Sequence, residues 1–198
     1  TTASSSQGGG VTITAGLGSS STNGQGGSFV ASGGSSSGGT GGAVSISSGR
    51  GTTTTSGSLI LRSVNAGSTG VSGLLSFHTG TTSSGSSGAI VIGTGASTNG
   101  KSGDVIISVG TGDVAVGGDI RMNSGGASTS TGGAMSFASG ISTHTTSGDI
   151  TVSTVNAGES GVSGLLKFRT GTTSAGSSGT LFFASGASTA GKGGDVML

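Results

Sequence analysis

The amino-acid sequence predicts an all-β fold: a β-solenoid, or parallel β-helix, of about thirteen 15-residue coils with a thin, two-walled core and no helix. Three observations lead there. A nine-residue motif (Ser/Gly, Gly, x, apolar, x, apolar, x, Ser/Thr, Gly) recurs along the whole chain, mostly every fifteen residues. Pro is absent, as a continuous ladder of backbone hydrogen bonds requires. Finally, Val, Ile, Leu, Phe and Met keep to fixed places in a chain otherwise dominated by Gly, Ser and Thr. That regularity separates it from an ordinary Gly/Ser-rich linker.

The motif begins at Gly8, Gly26, Gly41, Ser56, Ser72, Ser87, Ser102, Gly117, Gly132, Ser147, Ser163, Ser178 and Gly193. Its fourth position runs through Val44, Leu59, Leu75, Ile90, Val105, Ile120 and Met135, and its sixth through Ile46, Leu61, Phe77, Ile92, Ile107, Met122 and Phe137. Apolar residues two apart have the period of a strand and share one face. The β-branched residues and Phe that prevail there suit a half-buried strand. Positions three to eight are therefore predicted as strand, with Ile90, Ile92, Val105 and Ile107 buried.

Position two is Gly in every unit, from Gly9 to Gly194, which predicts a corner with positive φ or a close backbone approach. Position eight is mostly Ser or Thr, as in Ser48, Thr79, Thr94, Ser124, Thr154 and Thr170, and is expected to form a hydroxyl ladder from coil to coil. The remainder of each coil, such as GTTSSGS at 80–86, has almost no large side chain and would form the opposite wall. With strands about 4.8 Å apart, the stack would be roughly 60 Å long.

A longer repeat lies over the short one. Residues 64–88 and 155–179, offset by 91, differ only at Ser68/Glu159, Thr69/Ser160, Ser76/Lys167, His78/Arg169 and Ser84/Ala175. The offset equals six coils, so a six-coil module, 56–146, repeats from 147 onward. The expected organisation is one continuous solenoid over 1–198, cut from a longer array. TTASSSQ at the start reads as the tail of a preceding coil, and GGDVML at the end stops within a strand.

Composition narrows the functional classes. A net charge of +1 with 7% charged residues supplies no electrostatic footprint for nucleic acid. No apolar run reaches the roughly 20 residues that span a bilayer, and the absence of Cys removes disulfide and thiol chemistry.

The phrasing SGDITVS (147–153), GASTAGKGGDV (186–196) and SVGTGDVAVGGDI (108–120) resembles the Gly/Ser/Thr-rich repeat regions of very large secreted proteins of diatoms and related algae. More widely, the chain resembles β-solenoids, including short-coil antifreeze proteins and bacterial adhesins. The resemblance covers essentially the whole chain and rests on composition and rhythm. It implies an extracellular, fibrous or adhesive material, and it carries no catalytic motif.

The chemistry-bearing residues are few. His78 and His144 lie more than four coils apart, and His78, at position seven beside Phe77, reads as a solvated outward position. Asp104, Asp119, Asp149 and Asp195 share position three. GTGDVAVGGD (110–119) resembles calcium-binding Gly/Asp nonapeptides, which makes Asp104 and Asp119, on adjacent coils, calcium candidates. The spacing of fifteen rather than nine, and the need for about six oxygen ligands, favour plain turn and strand-start Asp, with Lys101 and Lys192 as local counter-charges. No Ser–His–Asp set, nucleophile elbow, phosphate-cradling helix start or paired carboxylates stand out. Neither an enzyme nor a cofactor is expected.

Position five should face outward, and it holds Ser or Thr in Thr12, Ser45, Ser76, Ser136 and Thr151. It is apolar at Ile60, Val91, Ile106, Phe182 and Met197, with Phe182 and Met197 repeating Val91 and Ile106 one module later. These five are the candidate self-association residues. The expected function is a structural, fibre- or matrix-forming extracellular protein that associates with copies of itself laterally or end to end, with extracellular polysaccharide or another surface as a further partner. The alternatives are an ice-binding protein and a calcium-dependent adhesin-type module. Against the first, Thr holds no continuous outward column from coil to coil.

Overall fold

The computed structural model of the chain describes residues 8–20, 22–114 and 116–198. Among them there is no helix and no strand, so the solenoid expectation is overturned: no β-helix forms and no strands occupy positions three to eight. The thin two-walled core is missing too, because no described residue is buried. Ile90, Ile92, Val105 and Ile107, expected inside, are exposed; even Ile90 retains 55% of its accessible surface. The described residues form an irregular, low-complexity coil. TTASSSQ lies outside them.

The fifteen-residue period nevertheless shapes the backbone. The chain bends at 37–39, 52–54, 68–69, 83–85 and 98–100, then at 113–114, 128–130, 143–145, 159–160, 174–176 and 189–191. These fall at positions twelve to fourteen of successive units. In five units the loop is closed at its foot by the glycine of position two. Gly27, Gly42, Gly57, Gly133 and Gly148 donate their N–H to the carbonyls of Gly16, Gly34, Gly49, Gly125 and Gly140 at 2.8–3.0 Å. Each acceptor is position nine of the preceding unit, so the bond joins the two ends of one small loop.

This local closure works against a solenoid. A solenoid needs each backbone N–H of its strands paired to the next coil. In five units the N–H of position two turns back to position nine instead. The described residues hold six backbone–backbone hydrogen bonds, against roughly one intramolecular bond per residue in a folded domain. Gly, with 47 copies, also loses the most conformational entropy on ordering.

The hydroxyls act locally as well, rather than as a ladder. Ser36 Oγ accepts from Gly39 N–H at 2.9 Å and Ser142 Oγ from Thr145 N–H at 2.9 Å. Such side-chain turns compete with sheet pairing for the backbone. At position eight the methyls, rather than the hydroxyls, meet the next unit. A Cβ added at Gly88, Gly103 or Gly179 would lie 3.6, 3.4 or 3.8 Å from Thr79, Thr94 or Thr170 Cγ2. These are ordinary contacts; at position two only Gly27, Gly42 and Gly118 are approached to 3.0 Å or less. Positive φ occurs instead at Gly85 (108°) and Gly176 (112°), both in bends.

The chain divides into two units, Thr1–Gly103 and Asp104–Leu198. The first contains the closures at Gly27, Gly42 and Gly57 and a turn in which Thr82 Oγ1 donates to Ser84 C=O at 3.0 Å and accepts from Ser84 N–H at 3.3 Å, just before Gly85. The second contains the closures at Gly133 and Gly148. It repeats the turn 91 residues later, with Thr173 Oγ1 donating to Ala175 C=O at 3.0 Å and accepting from Ala175 N–H at 3.3 Å before Gly176.

Accessible surface gives the scale. The chain exposes 19332 Å², whereas a compact monomer of 18.1 kDa exposes about 8,000 Å² and a fully unfolded one about 26,000 Å². Amide hydrogen exchange on the dilute chain should therefore run near intrinsic rates at positions four to six. The slowest amides should be Gly27, Gly42, Gly57, Gly133 and Gly148. Cooperative protection of Ile90 and Val105 would overturn this description. Gly42→Ala places a Cβ 3.0 Å from Gly34 N, so it should abolish slowing at residue 42 and leave Gly57 unchanged. Gly34→Ala, whose Cβ meets nothing within 4 Å, is the control.

Candidate functional site

Alternation survives without strands. Position five is more open than the positions beside it: Phe182 is 80% exposed, against 50% for Leu181 and 56% for Phe183. Extended backbone sends successive side chains to opposite sides, so the apolar motif retains a local face in each unit. Ile60, Val91, Ile106, Phe182 and Met197 all lie open, with Val91 at 89% and Met197 at 91%.

In the Asp104–Leu198 unit, position-six residues from four successive repeats come together. Met122, Phe137, Val152 and Phe168, with Ile150 and Thr151, line an open apolar groove of about 610 Å³. Phe168 meets Phe183 edge to face, with ring centroids 6.3 Å apart and planes at 85°, an arrangement that favours the positive ring edge over the negative face. The groove escapes sequence reasoning because the solenoid expectation places the position-four and position-six residues in a closed core. A signal was present in the clustering of Met and Phe at position six of this half.

The polar candidates are drawn into short-range pairs. Asp119 Oδ2 accepts from Arg121 Nη2 at 2.6 Å and from Arg121 Nε at 3.2 Å, both side chains being exposed. Asp104 is also engaged. Among the described residues no group of three or more His, Cys, Asp or Glu side chains is placed to hold a metal ion. His78 Nδ1 lies 3.0 Å from Ser76 Oγ, and His144 Nδ1 lies 2.8 Å from Thr143 Oγ1. Among the described residues no helix is long and apolar enough to cross a membrane.

No family model matches the chain, and neither does any curated protein or solved structure.

The arrangement offers an apolar surface and little else. An environment-sensitive apolar dye should bind the dilute chain weakly, and Phe137→Ser with Phe168→Ser should reduce that binding severalfold by removing two groove walls. Asp119→Asn should leave it unchanged, since an exposed ion pair contributes about 0–1 kcal/mol. Equal loss from both variants would show that the dye does not read the groove.

Proposed function

We propose that this chain is a structural protein that builds an extracellular fibre or matrix by associating with copies of itself. The observation that carries the reading is that none of the large apolar side chains is buried within the chain. The surface it exposes exceeds that of a compact monomer of its mass by roughly 11,000 Å². A specific interface removes only about 1,200–2,000 Å² in total, so several contacts per copy are available. With a net charge of +1, mutual repulsion does little to keep copies apart.

A second copy suits this surface because it brings the same periodic apolar positions to the contact. Many weak contacts along two repetitive chains add up through multivalency. The extracellular placement is supported by the resemblance to secreted algal repeat regions. The groove in the Asp104–Leu198 unit, lined by Met122, Phe137, Ile150, Val152 and Phe168, offers one surface for such a contact.

The test is sedimentation and light scattering across a dilution series. The wild-type chain should pass from monomer to large assemblies above a threshold concentration. Phe137→Ser with Phe168→Ser should raise that threshold by at least about tenfold, since each large side chain contributes about 1.5–3 kcal/mol when buried and 1.4 kcal/mol is a factor of ten. Val91→Ser with Phe182→Ser should raise it less and leave the monomer's circular dichroism unchanged. A chain that stays monomeric to millimolar concentration would sink the reading.

A further inference from the structure

The two units differ in charge. The Thr1–Gly103 unit contains Arg50, Arg62 and Lys101 and no Asp or Glu, giving +3. The Asp104–Leu198 unit holds all six carboxylates (Asp104, Asp113, Asp119, Asp149, Glu159 and Asp195) against four Lys and Arg, giving −2. Leaving out Lys101 and Asp104, which flank the boundary, still gives +2 against −1. All these side chains lie on the exposed surface.

We propose that copies of this chain associate with unlike halves together, the Thr1–Gly103 unit of one copy lying against the Asp104–Leu198 unit of another. The inference rests on the self-association reading and specifies its geometry. Apolar contact alone cannot choose a register, because positions four and six recur every fifteen residues and a slip of one unit exposes an equivalent surface. Charge breaks that degeneracy. Pairing like halves sets +3 against +3 or −2 against −2, whereas pairing unlike halves sets opposite signs together. An antiparallel pair satisfies both unlike contacts at once through a self-complementary interface.

The absence of Cys makes the test direct on this chain. Ser45→Cys and Ser136→Cys occupy equivalent position-five sites, one in each unit, and accept fluorescent labels. Energy transfer between copies is then measured above the assembly threshold for donor at 45 with acceptor at 136, and for each like-labelled mixture. At about 10 mM salt, where the screening length is about 30 Å, transfer between unlike sites should exceed both like combinations by about twofold or more. At about 1 M salt, where it is about 3 Å, the preference should vanish. Arg50→Glu with Arg62→Glu takes the first unit from +3 to −1 and should abolish the preference. Adding Asp149→Lys and Glu159→Lys takes the second from −2 to +2 and should restore it. Association with equal transfer in all mixtures, or a preference untouched by salt and charge reversal, overturns this inference and leaves the self-association reading standing. No association in any variant overturns both.

Discussion

In five units the amide of position two turns back onto the carbonyl of the preceding position nine, and this short closure is the backbone pairing that recurs along the chain. It consumes the backbone group that stacked coils would need to pair forward. On the donor side two of the closures leave little room for a side chain: a Cβ at Gly27 would lie 3.0 Å from Gly16 N, and one at Gly42 equally close to Gly34 N. All five closures join Gly to Gly. A chain built this way becomes a series of small hydrogen-bonded loops, with apolar segments between them that find no covering wall.

The absence of a core follows from side-chain volume as much as from hydrogen bonding. Positions four and six carry Leu, Ile, Val, Phe and Met, but the loop residues that would oppose them are Gly, Ser, Thr and Ala. Small polar residues remove little apolar area from water, and area removed is what drives burial. Ser and Thr also bind their own backbone, as at Ser36, Thr82, Ser142 and Thr173. The groove of Met122, Phe137, Val152 and Phe168 forms where bulky position-six residues happen to be consecutive. It remains open because no second layer lies over it.

Much of the period was legible in the sequence; the fold was not. The unit length and the glycine at position two were readable from spacing; the division into inward and outward apolar positions was not, because both lie exposed. Spacing alone, however, cannot distinguish a strand that pairs with the next coil from an extended segment that pairs with nothing. Both give apolar residues two apart. The deciding information was the direction of the position-two amide, and a sequence does not display it. The positive φ of Gly85 and Gly176 is likewise not legible in the repeat, because it belongs to a turn set by Thr82 and Thr173 three residues earlier.

The two copies of the long repeat show which exchanges their shared turn tolerates. The turn of Thr82 to Gly85 recurs at Thr173 to Gly176 with the same hydrogen-bond lengths, although Ser84 has become Ala175. That exchange is harmless because the turn uses only the backbone of that residue. The other differences include Ser68/Glu159, Ser76/Lys167 and His78/Arg169, where the second copy carries a formal charge and the first does not. All lie on exposed positions, outside the Gly–Gly closures. Exposed side chains that the turn does not use can change charge without disturbing it, so the chain holds its rhythm while its two halves acquire different charge.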